Sequence, residues 1–194
     1  MFLPATLDLK ERKVDHLTND ELEGLTSEFM DWFEERQTVS RTRKWLIFLF
    51  LRYTGARISE VLQIQDRDIN TIKAEVRLKT MKRREDIYRI VPVPKLVMVE
   101  YLQALRQYPE LTLKLHRSQF FRTFAEICKR CGISKELSHP HVLRHTRAIE
   151  LLSAGIPITA VKQLLGHSHI NTTAVYLRYS NVEIAEMLRQ KGLV

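Results

Sequence analysis

The chain has 194 residues, 44% of them hydrophobic and 28% charged, which is the balance of an ordinary globular protein. No apolar run is long enough to cross a bilayer and no secretory signal opens the chain, so we expect a cytoplasmic protein. The net charge of +8 is uneven, because the first 36 residues carry ten acidic and four basic side chains; the basic remainder favours a polyanionic partner, with a merely solvated basic face as the alternative.

The first part of the chain predicts three helices. A capping-box pattern opens an amphipathic stretch over 18–36. A second helix, over 40–53, is almost wholly apolar in its middle and is therefore expected to be buried. Gly55 fits the end of this helix, and a short third helix is predicted over 58–64.

The next segment, residues 68–94, changes to strand character. Polar and apolar side chains alternate over 75–78 and 87–91, which predicts two antiparallel strands joined by a basic tip. Pro92 and Pro94 are expected to end the sheet. Lysines at such a tip can enter a groove or protonate a leaving oxygen, but they are also common in solvated turns.

Helical patterns return over the rest of the chain, with glycine and proline between them. The predicted spans are 95–107, 118–131, 140–154, 157–166, 170–179 and 181–191. Cys128 and Cys131 have the spacing of a redox pair or half a zinc site, but they fall in a helical pattern without a second pair. We therefore predict a mainly α fold with a small antiparallel β-sheet insertion.

An arginine stands at the start of the third predicted helix. Arg57 could fork onto a phosphate, and Glu60, three residues on, lies on the same helical face and could orient the guanidinium. A surface ion pair of little energetic value is the alternative.

Three ionisable groups share one face of the helix over 140–154. His141, Arg144 and His145 stand at positions i, i+3 and i+4. Two histidines at this spacing can bind zinc, but the glutamate of the metalloprotease motif is missing and the arginine would repel a cation. We therefore predict no metal site.

The end of the chain adds a histidine and two tyrosines. His167 follows one predicted helix, and Tyr176 and Tyr179 lie in the next, where either hydroxyl is a candidate nucleophile or a packed side chain. Cations, a proton shuttle and a nucleophile are what phosphodiester chemistry needs without a metal. A helix-turn-helix over 157–178 is the rival interpretation, and it would make the protein a DNA-binding regulator without activity.

Five motifs occur in one order along the chain. They are T-G-A-R-I-S-E, the K-T of the hairpin, H-x-L-R-H-T, L-L-G-H-S and T-T-x-x-Y. Over roughly residues 18–180 this ordered set resembles the catalytic domain of the tyrosine recombinases, the phage-integrase and Xer-like family. The resemblance implies the DNA breaking-rejoining fold, with 1–17 as an N-terminal extension or linker and 181–194 as a C-terminal tail helix.

The resemblance also implies how the scissile phosphate is held. Arg57 and Arg144 would grip its non-bridging oxygens, and His167 would donate a hydrogen bond to it. Glu60 and His145 would support these residues. No metal, ATP or small-molecule cofactor is implied.

The remaining catalytic roles concern proton transfer and attack. Lys79 would protonate the leaving 5′ oxygen, with Lys82 as the alternative if the alignment slips by three residues. His141 would assist proton transfer at the attacking hydroxyl of Tyr176, which holds the last position of T-T-x-x-Y; Tyr179 does not. The product would be a 3′-phosphotyrosine that another strand can reseal.

The implied partner is a double-stranded DNA recombination site, bound by a homotetramer at the nucleoid. Further basic side chains are expected to contact this DNA: Arg43, Lys82, Arg83 and Arg84. A relaxing enzyme of the type IB topoisomerase kind would use the same chemistry and remains open. Family members usually carry an N-terminal helical domain, so the chain is expected to be a fragment or a minimal recombinase. Its tail helix would dock on its own domain or on a neighbouring subunit.

Overall fold

The computed structural model describes residues 15–80 and 87–166. Within them the chain forms helices α1 to α7, a 3₁₀ turn and strands β1 to β3. The bounds are α1 Asn19–Glu34, α2 Val39–Thr54, α3 Ile58–Val61, the 3₁₀ turn Asp66–Asp68, β1 Ile69–Asn70, β2 Glu75–Lys79, β3 Tyr88–Pro92, α4 Lys95–Gln107, α5 Arg117–Arg130, α6 His141–Ser153 and α7 Ile158–Leu165. The predicted mainly α fold with a small antiparallel sheet is confirmed.

Local signals in the sequence account for the first two helices. The Thr18 hydroxyl accepts from the backbone N–H of Glu21 at 3.2 Å and the Glu21 carboxylate accepts from that of Thr18 at 2.8 Å, so the predicted capping box is present. Helix α2 ends at Gly55, which has a left-handed φ of +61°. A Cβ at this glycine would lie 2.6 Å from Leu165 Cδ2, so a larger residue would force this buried side chain to shift.

The apolar middle of α2 forms the centre of the core, as its composition predicts. Residues 45–51 are all buried, and α2 packs against α1, α4 and α6. Phe48 stacks on Phe29 of α1 with ring centroids 4.4 Å apart. A smaller apolar cluster joins α7 to α6 through side chains such as Ile149 and Val161. Helices α2 and α7 therefore both pack against α6.

The three strands form one antiparallel sheet in the order β1-β2-β3. Val76 pairs with Val91 and both are buried, whereas Lys79 pairs with Tyr88 on the outer face. The sequence predicted β2 and β3 but not β1, because a strand of only two residues has no period to detect. Pro92 is the last residue of β3, as predicted.

Other sequence expectations concern the cysteines, the termini and the membrane. Cys128 is buried on α5 and Cys131 ends this helix, and burial raises the pKa of the Cys128 thiol to about 12. Leu17 is buried and its N–H donates to the Thr146 hydroxyl at 3.0 Å, which ties the start of α1 to α6. Among the described helices, none is long and apolar enough to cross a membrane. The predicted helices over 170–179 and 181–191 lie outside the described residues.

Candidate active site

Arg57 stands at the N-terminus of α3, where the first turn of the helix fixes its position. Its backbone N–H donates to Glu60 Oε2 at 2.9 Å and its guanidinium Nη1 donates to Glu60 Oε1 at 3.2 Å. The Glu60 side chain is fully buried, whereas the Arg57 side chain keeps 22% of its surface exposed. The contact expected from the spacing of these two residues is present, and part of the Arg57 side chain remains exposed.

A second arginine, Arg89 of β3, also binds Glu60. Its Nη2 donates to Glu60 Oε2 at 2.7 Å, and its Nε donates to the carbonyl of Leu164 in α7 at 2.8 Å. The sequence patterns did not identify Arg89 as a residue of the site. The signal that could have found it is the period of the strand, because alternation places Arg89 on the same inward face as Val91.

The ionisation of Glu60 follows from these contacts. Burial would raise the pKa of Glu60, but hydrogen bonding to Arg89 and the charge of Arg89 outweigh it, with further contributions from Arg57 and Arg144. The pKa of Glu60 is therefore lowered from its ordinary value. The site contains a buried carboxylate that is ionised at neutral pH.

Arg144 of α6 is almost completely buried, with 2% of its surface exposed. Its Nη1 donates to the carbonyl of Gly55 and its Nη2 to the carbonyl of Leu165, both at 2.8 Å. These two carbonyls lie at the C-terminal ends of α2 and α7, where a helix leaves its last acceptors without partners. Arg144 is thereby bound to Gly55, which stands two residues before Arg57 in the segment that follows α2.

His141 and His145 complete this group from the same helix as Arg144. Their rings meet edge to face with centroids 4.6 Å apart. Desolvation lowers the pKa of each to about 4, helped at both rings by the charge of Arg144 and at His141 also by that of Arg57. The His141 side chain is nevertheless exposed to solvent, whereas His145 is half-buried. A neutral imidazole beside two arginines can accept a proton from a reacting group.

These lowered values predict how stability depends on pH. In the native protein His141 and His145 stay neutral down to about pH 4. In the unfolded chain the same two side chains take up protons near pH 6.5. Protons therefore bind the unfolded chain preferentially, and the free energy of unfolding is expected to fall as pH drops from 6.5 to 4. Urea titrations across this range check it. The His141→Gln, His145→Gln double variant should give a flatter profile, and equal slopes would contradict the prediction.

The remaining predicted residues are placed as follows. Lys79 is half-buried at the end of β2, and the hydroxyl of the next residue, Thr80, lies 3.4 Å from Arg89 Nη1, so this end of the hairpin adjoins the Glu60 cluster. Arg43 lies on α2, where its Nε donates to the carbonyl of Thr112 at 2.7 Å. Five predicted residues lie outside the described part of the chain: Lys82, Arg83, Arg84, His167 and Tyr176.

The arrangement is suited to holding an oxyanion. Arg57 begins α3, and Arg144 binds the carbonyl of Gly55 two residues before it. The charges of both arginines act on His141, and the buried Glu60 carboxylate orients Arg57. Within residues 15–80 and 87–166, no group of three or more side chains of the metal-binding kind comes together. The arginines and histidines described above offer charge stabilisation and proton transfer.

Comparison with known sequences identifies related proteins. The sequence model of the phage integrase family matches residues 16–182. A tyrosine recombinase of Thermosipho africanus is 34% identical over 184 residues, covering 89% of this chain and 60% of the relative. The tyrosine recombinase XerA of Pyrococcus furiosus is 30% identical, covering 88% and 62%. The chain thus spans about 60% of the length of these relatives.

Comparison with solved structures supports the same relationship. A crystal structure of XerA recombinase superposes with a TM-score of 0.72 at 26% identity, covering 92% of this chain and 65% of the other. The XerH recombinase bound to its difH substrate, in a post-cleavage complex, gives a TM-score of 0.74 at 24% identity, covering 89% and 52%. The catalytic domain of bacteriophage HP1 integrase gives 0.66 at 21% identity, covering 91% and 95%. The last two show the shared fold.

Proposed function

Because the chain belongs to the phage integrase family of tyrosine recombinases, we propose that it cleaves and rejoins double-stranded DNA at a specific site. The observation that carries this proposal is the fixed pair of arginines, Arg57 and Arg144, beside a neutral His141. Such a group can neutralise a phosphate and accept a proton at the same place.

The proposed step is a displacement at phosphorus. The hydroxyl oxygen of Tyr176 attacks the scissile phosphate, its proton passes to His141, and the bond from phosphorus to the 5′ oxygen breaks. Lys79 protonates this leaving oxygen, and Arg57 and Arg144 stabilise the charge that builds on the phosphate. The products are a 3′-phosphotyrosine and a free 5′ hydroxyl.

The reverse reaction explains how strands are exchanged. A 5′ hydroxyl of a partner strand attacks the phosphotyrosine and releases the enzyme. Because a phosphoester bond is kept throughout, resealing needs neither ATP nor a metal in this proposal. We place the reaction at the nucleoid and assign it to a homotetramer, with residues 18–180 as the catalytic domain, 1–17 as an N-terminal extension or linker and 181–194 as the tail helix.

The hairpin and the basic surface supply the DNA contacts in this proposal. We assign phosphate contacts to Lys82, Arg83, Arg84 and Arg43, with His167 donating to the scissile phosphate. Ionic contacts of this kind make binding depend steeply on salt. A regulator with a decayed site is disfavoured, because every catalytic residue type that the family resemblance implies is present in the sequence.

The proposal is tested by trapping the covalent intermediate. The probe is a pool of duplexes with randomised sequence and a single nick, so that the short fragment released by cleavage diffuses away and the reaction cannot reverse. Incubation at low salt with EDTA should yield an SDS-resistant protein–DNA adduct, whose DNA is then sequenced. If the pool gives no adduct with the wild-type chain, the proposed function is wrong.

A further inference from the structure

Arg89, which has no assigned role in the reaction above, contacts three separate parts of the candidate active site. We propose that Arg89 is a positioning residue that holds the Glu60–Arg57 pair, the end of the β2–β3 hairpin and the last turn of α7 in one arrangement. This inference rests on the proposed function, because the geometry it maintains is that of a phosphate-holding site.

The first contact is with the carboxylate that orients Arg57. Each Glu60 oxygen serves both arginines: Oε1 accepts from Arg57 Nη1 at 3.2 Å and Arg89 Nη1 at 3.4 Å, and Oε2 accepts from the Arg57 N–H at 2.9 Å and Arg89 Nη2 at 2.7 Å. The Arg89 side chain is only 9% exposed and the Glu60 side chain is fully buried. Arg89 therefore compensates the buried charge and fixes the carboxylate against which Arg57 is aligned.

The second contact is with the end of α7. Arg89 Nε donates to the carbonyl of Leu164, and Arg144 Nη2 donates to the neighbouring carbonyl of Leu165, both at 2.8 Å. Two different arginines thus hold two successive carbonyls of the last turn. The next residue, Gly166, approaches so closely that a Cβ there would lie 2.8 Å from Arg89 Nη1. The Arg89 guanidinium therefore packs against Gly166, the residue that directly precedes His167 in the sequence.

The third contact is with the hairpin. Arg89 Nη1 lies 3.4 Å from the hydroxyl of Thr80, the residue after Lys79. The Thr80 N–H donates to the carbonyl of Ile87 at 2.7 Å and continues the pairing of β2 with β3. The proposed general acid and the proposed phosphate-holding arginine are therefore joined through one guanidinium.

A lysine cannot reproduce this set of contacts. The guanidinium is planar and has five N–H donors that point in fixed directions, whereas an ammonium is a single point charge with three donors. Arg89→Lys keeps the charge beside Glu60, but it cannot reach Leu164 and Thr80 at the same time. This conservative change therefore separates the geometric role of Arg89 from its charge.

The test measures single-turnover adduct formation on a sequence recovered from the nicked pool. Arg89→Lys is expected to lower the rate by about 100-fold, the effect expected of a misplacement near 1 Å in an active site. The matched control is Arg52→Lys. Arg52 is also shielded, at 15% exposed, and it binds Glu150 through two hydrogen bonds of 2.8 and 2.7 Å, away from Glu60. This control should react near the wild-type rate.

A second readout distinguishes positioning from general damage to the fold. Replacing one non-bridging oxygen of the scissile phosphate by methyl removes the negative charge that Arg57 must meet. The defect of Arg89→Lys should be several-fold smaller on this methylphosphonate than on the phosphate, because guanidinium alignment then matters less. A loss of folded protein lowers both rates equally, and equal loss would overturn the inference.

A pair of glycine variants keeps the inference testable if Arg89→Lys does not fold. Gly166→Ala places a methyl group against Arg89, whereas Gly132→Ala, at nearly the same left-handed φ, has nothing within 4 Å of the added Cβ. Gly166→Ala should lose more rate on the phosphate substrate than on the methylphosphonate, as Arg89→Lys does, and Gly132→Ala should lose no rate on either. Wild-type behaviour of Gly166→Ala would contradict the inference alone, whereas absence of any wild-type adduct would remove the proposed function and the inference with it.

Discussion

Tyr176→Phe is expected to abolish the SDS-resistant adduct that the wild-type chain forms with nicked DNA. The change removes one oxygen atom, and without it no phosphotyrosine bond can form. A phenol with an ordinary pKa near 10 is a weak nucleophile, so the remaining side chains are needed to activate it but cannot replace it. Gel electrophoresis of labelled DNA after denaturation measures the adduct directly.

The matched control is Tyr179→Phe, which removes the same atom three residues later. Tyr176 holds the last position of T-T-x-x-Y, and Tyr179 does not. The control is therefore expected to form the adduct. An adduct that persists in Tyr176→Phe and disappears in Tyr179→Phe would show that the nucleophile has been assigned to the wrong tyrosine.

Arg144→Lys is expected to slow adduct formation by about 10²- to 10³-fold, the usual cost of losing one preorganised donor to a developing charge. The wild-type guanidinium is held by the carbonyls of Gly55 and Leu165 while carrying its charge beside Arg57 and His141. A single ammonium cannot hold both carbonyls and face a phosphate. Single-turnover rates on a recovered sequence measure the loss.

Stability has to be measured alongside this rate. A buried carbonyl left without its donor costs about 1–3 kcal/mol, so Arg144→Lys should also lower the urea midpoint while still folding. The control is Arg147→Lys on the same helix. Arg147 forms an ion pair of 3.3 Å with Glu150, and its carbon stem lies against Gly55; a lysine keeps that stem. It should cleave near the wild-type rate. Equal losses in both variants would mean that Arg144 acts through the fold alone.

The helices and the two longer strands could be predicted because their signals are local. The capping box, the glycine after α2 and the alternation in β2 and β3 each act within a few residues, and the structure contains all of them. Strand β1 could not be predicted. It has two residues, and it exists because Ile69 finds a partner in Val76.

Part of the candidate site could likewise be predicted from local sequence. Residue order and spacing identified Arg57, Glu60, His141 and Arg144, and the contact between Arg57 and Glu60 spans only three residues. The roles of Tyr176 and His167 still rest on the order of motifs in the sequence.

Only the tertiary structure decided how the charged groups are held. Arg144 reaches Gly55 across 89 residues, and Arg89 reaches Glu60 across 29 and Leu164 across 75. Spacing along a chain determines which side chains share a helical or strand face, and it does so without knowledge of the rest of the fold. Which carbonyl or carboxylate a buried arginine meets depends on how α2, α7 and the sheet pack around α6, and that packing decides where each guanidinium is fixed.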